Sequence, residues 1–162
     1  MVTVVETNLT FVKQLSERAE SDLIVIHHVG ETDRDVSAAE IHQWHLANGW
    51  AGIGYHYVIR KDGTIERGRP RATLGAHAEG FNYRSLGINI VGDFEQATPT
   101  PQQIESAAQL VAELCNIYSL IPTPETVVGH KDLMQTICPG TNLYAILQDI
   151  RGKAVYYQNA GN

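Results

Sequence analysis

The feature that most constrains this chain is the run Leu23-Ile24-Val25-Ile26, which leads straight into His27-His28. Continuous β-branched and aliphatic residues fit a strand buried on both faces, and such a strand needs a sheet with cover on either side. An unpaired imidazole at the end of a buried strand is costly. His27 therefore calls for ligation or a specific hydrogen bond. Side chains alternate along a strand, so His28 points to the opposite face and the pair cannot easily share one ion. One of the two is structural or faces a substrate.

The rest of the chain supplies the cover. Leu9, Phe11, Val12 and Leu15 stand at roughly helical spacing. Ser37 with Glu40 forms a capping box that opens a helix with Ile41, Trp44 and His45 along one face and a stop at Asn48-Gly49. Residues 53–60, the turn Asp62-Gly63 and residues 64–66 predict a β-hairpin, with Tyr55, Tyr57 and Ile59 on one face of its first strand. Residues 70–85 have no sustained period and read as a long ordered loop containing His77. Residues 86–92 form a further strand. Thr100 then caps a helix with proline at its first position, whose apolar face runs through Ile104, Ala107, Ala108, Val111, Leu114, Cys115 and Tyr118. A short strand over 126–129 leads into His130, and 141–151 predict a final helix. This order implies an α/β fold, with a single mixed central β-sheet flanked by helices. With 162 residues and 43% hydrophobic composition, one domain over 1–162 with its core in 22–150 is expected.

Charge excludes some partners. Twelve Lys and Arg against 18 Asp and Glu, a net of −6, leave no basic footprint for nucleic acid or an anionic membrane. Glu6, Lys13, Glu17, Arg18 and Glu20 interrupt any signal-peptide core, and no stretch approaches the 18 apolar residues of a membrane span. A soluble chain made in the cytoplasm is expected, acting as a monomer. Two cysteines, Cys115 and Cys138, are too few for a disulfide framework.

His130 and Cys138 flank the run Lys131-Asp132-Leu133-Met134-Gln135-Thr136-Ile137 and are followed by Pro139-Gly140. That spacing is not a zinc-finger spacing, and neither Cys-x-x-Cys nor His-Glu-x-x-His occurs. Two readings stay open. A three-ligand metal site with an open position would activate water. Alternatively, Cys138 is the nucleophile of a cysteine peptidase with His130 as base. His42 and His45 read as core or groove wall, His56 as structural, and Cys115 as a small hydrophobe.

The chain resembles the peptidoglycan recognition proteins and the phage lysozyme-type N-acetylmuramoyl-L-alanine amidases. The likeness is carried, in order, by residues 24–28, 40–45, Gly49-Trp50, 54–57, Gly75-Ala76-His77, Gly80-Phe81-Asn82, 85–88, 91–94, 129–132 and 138–140. The resemblance implies that His27, His130 and Cys138 bind Zn2+, that Tyr55 and Thr136 are catalytic, and that His77, Asn82 and Trp50 contact the substrate. The implied reaction is zinc-dependent hydrolysis of the amide between the lactyl group of N-acetylmuramic acid and L-alanine in peptidoglycan, on the wall after holin-type release. Noncatalytic members lack the cysteine and only bind the polymer, so Cys138 argues for an enzyme; the alternative from another class is a noncatalytic module that binds peptidoglycan or regulates another protein. The paired cysteines of many animal members are absent, which points to the phage branch. No separate wall-binding domain is expected.

Overall fold

The structure, a computed structural model, describes residues 1–160. Its elements are β1 (Val4–Val5), β2 (Leu23–His28), α1 (Ala38–Ala47), β3 (Tyr57–Ile59), β4 (Ile65–Arg67), β5 (Ser85–Ile90), α2 (Pro101–Tyr118), β6 (Val127–Gly129), α3 (Thr141–Ala145) and α4 (Leu147–Ala160). Among the described residues the strands form one mixed sheet in the order β1-β4-β3-β5-β2-β6. The hairpin pair β3–β4 is antiparallel, and β3, β5, β2 and β6 run parallel to one another. The mixed α/β architecture is the one the sequence implies.

Every residue of β2 and β5 is buried, as a sheet covered on both sides requires. On one face Ile24, Ile26, Leu86, Ile88, Ile90, Tyr57 and Ile59 join the apolar sides of α2 and α4 in the main core. The alternate residues of the same strands point the other way. There Val58 and Val91 meet Val36, Ala38 and Ile41 at the start of α1, while His27 pairs in register with Asn89. α2 begins as expected, with Thr100 and Gln103 closing a reciprocal capping box, whereas α1 keeps half of its box: the Ser37 hydroxyl accepts from Glu40 N, but the Glu40 carboxylate is taken by Arg34.

Three expectations need correction. The stretch 9–15 is not helical, because its surroundings draw off its backbone bonds: Val12 N donates to Ala51 O, Arg18 N to Ala72 O, and Leu74 N to Ser16 O. Leu9 and Phe11 are apolar because they pack beside α1. Tyr55 does not share a face with Tyr57 and Ile59. A bend at His56 interrupts the pleat, and Tyr55 packs with the Ile41–Val58 cluster instead. The last helix is two, broken at Ile146, and the second reaches Ala160 with Ile150 and Ala154 in the core.

Candidate active site

Strand alternation sorts the two histidines. His28 turns to the α2 face, where its Nδ1 accepts from Phe94 N at 3.1 Å and its ring stacks on Phe94. His27 turns to the α1 face, 1% exposed, with its ring against those of Tyr55 and His130. His130 follows β6 in a 3₁₀ turn, His130–Asp132. The loop after it closes on itself through Lys131 N donating to Cys138 O at 2.8 Å, which brings residues eight apart in sequence side by side. Cys138 Sγ then lies 3.7 Å from His27 Nδ1, and one ligand atom from each of His27, His130 and Cys138 falls within 4.8 Å of the others. His130 Nε2 faces Met134 Sδ at 3.0 Å, so the nitrogen left for an ion is Nδ1.

The tautomer of His27 can be worked out from the far end of a hydrogen-bond chain. Phe81 O only accepts, so the Ser85 hydroxyl at 2.7 Å donates to it. Ser85 Oγ then accepts from His77 Nε2 at 3.3 Å, leaving His77 Nδ1 as an acceptor. His27 Nε2, 2.9 Å away, is therefore the donor. That leaves the Nδ1 lone pair of His27 aimed at the side where Cys138 lies, the orientation a metal ligand needs. The chain needs room, and Gly87 provides it: a Cβ there would stand 2.6 Å from the His77 ring.

Electrostatics keep this cluster neutral. Burial, then the neighbouring His77, His130 and His28, drives the His27 pKa well below the usual imidazole range. Burial pushes the Cys138 thiol up to about 12, against a partial pull down from the His28 backbone N–H. Tyr55 is also pushed up, first by burial and then by Cys138, and stays a protonated donor. A thiol held this high is a poor nucleophile, and a bound cation is what would deprotonate it.

Two cavities meet at Tyr55. One of about 330 Å³ is lined by His27, His130, Thr136, Ile137 and Cys138. The other, of about 480 Å³, runs along α1 past Trp44, His45 and Asn48, with Asn89 in its wall. Val29, Glu31 and Tyr55 belong to both, so they make one groove with the histidine–cysteine cluster at one end. Thr136 is at that end, its hydroxyl accepting from Cys138 N at 3.2 Å.

His77, Asn82 and Trp50 are not in the walls of either cavity. His77 is 8% exposed and spends both ring nitrogens on His27 and Ser85. Asn82 Oδ1 accepts from His77 N and Ala78 N, which fixes the loop carrying His77. Trp50 packs its ring against His45. His77 and Asn82 hold the loop beside the groove, Trp50 lies exposed against His45 of the groove wall, and Trp44, which the helical pattern assigned to an apolar face, is in that wall. His42 and His56 are buried and hydrogen-bonded to backbone, His42 to Ile53 N and His56 to Gly87 N. Both cysteines are free, and Cys115 is in the main core.

Comparison with known proteins places this site in a family. A family model described as N-acetylmuramoyl-L-alanine amidase matches residues 17–141, which include β2 with His27, α1 and the loop from His130 to Cys138. The endolysin of Klebsiella phage KP32 is 35% identical over 136 residues, covering 80% of this chain and 87% of that protein. The endolysin of Escherichia phage T7 is 32% identical over the same shares. Among solved structures, the N-acetylmuramoyl-L-alanine amidase LysC from Clostridium intestinale URNW superposes with a TM-score of 0.86 at 40% identity, over 94% of this chain and 97% of LysC. Likeness of sequence and of fold, over the stretch that builds the histidine–cysteine cluster, has one consequence: the chain belongs to the N-acetylmuramoyl-L-alanine amidase family, type 2, and is an amidase of its endolysin branch.

Proposed function

We propose that the chain is a single zinc-dependent amidase domain that cleaves peptidoglycan between the lactyl group of N-acetylmuramic acid and L-alanine, with His27, His130 and Cys138 as the metal ligands. The observation that carries this reading is the convergence of those three side chains at the end of a groove they share with Tyr55. The donor set suits zinc. Zinc–nitrogen and zinc–sulfur bonds of about 2.1 and 2.3 Å in a tetrahedron hold N and S about 3.6 Å apart, and His27 Nδ1 and Cys138 Sγ are 3.7 Å apart. Zinc in such a site supplies Lewis acidity and lowers the pKa of a water molecule.

The chain's own residues do the rest. His77 Nδ1 accepts the hydrogen bond from His27 Nε2–H and fixes that ring. Tyr55, held neutral by burial, donates its phenolic hydrogen to the carbonyl oxygen of the scissile amide as charge develops there. Thr136 offers a hydroxyl to the same region, without charge. The groove along α1 receives the substrate, and Glu31, exposed between the two cavities, sets its charge.

A cysteine peptidase with Cys138 as nucleophile is the weaker reading, because its thiol is raised rather than lowered and the ring nitrogen that makes a hydrogen-bond contact with its sulfur is that of His27. The place of action proposed is the bacterial cell wall, reached after holin-type release, by a monomer. A ligand-bound relative of this fold supports the substrate class: a mutant of Drosophila PGRP-LB, 25% identical with a TM-score of 0.80, has been solved in complex with tracheal cytotoxin. The test is mass spectrometry of products from a defined muropeptide. Release of the stem with a free L-alanine amine, lost on chelation and restored by zinc, is expected. Turnover that survives complete metal removal and dies on thiol alkylation would overturn it.

A further inference from the structure

The α1 face of the sheet is rich in buried polar side chains, and their partners can be traced. His27 has His77, His77 has Ser85, Ser85 has Phe81 O, and His42 and His56 have backbone groups on both sides of their rings. Asn89 breaks the pattern. It is 1% exposed, and neither Nδ2 nor Oδ1 has a hydrogen-bond partner. The Tyr55 phenol is near enough for the amide to offset a little of the upward push on its pKa, but the two groups do not meet in hydrogen-bond geometry. The place of Asn89 explains where a partner could come from. It is in register with His27 on the neighbouring strand, on the same face, and in the wall of the 480 Å³ cavity together with Tyr55, His45 and Trp44.

A buried amide left unpaired costs stability, so a chain that keeps one at the wall of a groove is expected to satisfy it with something that enters the groove. The carboxamide narrows the choice. It offers an acceptor and a donor side by side, and the N–H and C=O of one residue in an extended peptide point to the same side, as they do in a sheet ladder. A sugar hydroxyl can meet one half of the group. An extended peptide residue meets both.

We infer that Asn89 is a specificity-determining residue that grips one residue of the extended stem peptide, with Oδ1 accepting its N–H and Nδ2 donating to its C=O, next to the scissile amide. The inference rests on the muropeptide reading above and deepens it, since it makes the peptide rather than the glycan the part recognised closest to the metal-ligand cluster.

Two measurements test it. Asn89→Leu keeps the shape and removes both polar atoms. It should melt at the same temperature as the wild type or higher, because an unpaired amide is gone, while KM for a muropeptide rises about tenfold or more and kcat changes far less. A variant that keeps the wild-type KM, or one with a lower melting temperature and normal KM, assigns Asn89 to the core and overturns the inference. The second measurement needs no variant: the side-chain amide resonances of ¹⁵N-labelled, metal-free protein, followed as muramyl tripeptide is added. The Asn89 pair should shift with the tripeptide and stay in place with N-acetylmuramic acid alone. If Tyr55 and Trp44 signals move and Asn89 does not, the inference fails and the muropeptide reading stands. If no groove signal moves, both fail.

Discussion

The two faces of the central sheet are made by alternate residues of the same strands, yet they are different materials. Toward α2 and α4, β2 and β5 present Ile24, Ile26, Leu86, Ile88 and Ile90, all fully buried in hydrocarbon. Toward α1 they present His27, Gly87 and Asn89. The first face is held by packing, which tolerates small adjustments in any direction. The second has smaller apolar clusters around Ile41 and Val25 and adds to them a directed relay, His27 to His77 to Ser85, in which each hydrogen bond fixes the proton on the next. Stability resides mainly in one and chemistry in the other, only one residue apart along the chain.

The sharpest way to break that division is Cys138→Ser. Zinc binding and turnover should fall by about 10³-fold or more, while the far-ultraviolet spectrum and the melting temperature of the metal-free protein stay close to wild type. A large loss of apo stability would show that the α1 face carries more of the fold than its polarity suggests. Acid should also act on the histidine face. Burial is the main force holding the His56 pKa down to about 3, the Thr73 carbonyl opposing it, whereas an unfolded histidine titrates near 6.5. The unfolded state therefore binds the extra proton between those values. The stability linked to His56 is fully present above about pH 6.5 and falls toward pH 3, by on the order of 4 kcal/mol. Melting of metal-free protein from pH 7 to pH 4 measures it, and a flat profile over that range would contradict a neutral buried ring.

On the opposite face, Ile88→Ala should cost about 2–5 kcal/mol in urea unfolding and leave zinc affinity unchanged. Tyr55→Phe should retain zinc and the fold and lower kcat by about 10²–10³-fold; unchanged turnover would remove Tyr55 from the reaction. The smallest effect is expected for His77→Leu, which ends the relay into His27. Zinc affinity should drop about 10–100-fold, by competition with a chromogenic chelator, with no rise in KM beyond that. A rise in KM at saturating zinc would instead return His77 to the substrate.

Much of this contrast was legible in the sequence because alternation is strict inside a strand. The separation of His27 from His28 needed nothing more than a period of two. It failed for Tyr55, because the bend at His56 changes the phase and no local residue signal announces it. The stretch around Leu9, Phe11 and Val12 misled for another reason: apolar spacing reports what must be covered, and here the cover is α1 rather than the stretch's own helix. His77 lay in a loop without a period, so its partner 50 residues away could not be inferred from spacing. Asn89 could have been noticed, since a single amide within Leu86-Gly87-Ile88-Asn89-Ile90-Val91 is an anomaly in a run otherwise free of polar side chains.

Gly87 adds a consequence for how this chain tolerates variation. It makes no side-chain contact and donates no chemistry, yet any larger residue would press on the His77 ring and, through it, on the ring of His27. In a saturation library scored separately for abundance and for lysis, Leu86 and Ile88 should be depleted in both screens. Gly87→Ala should be depleted more strongly in the second than in the first. The absence of one methyl group would then be inherited as strictly as a functional group.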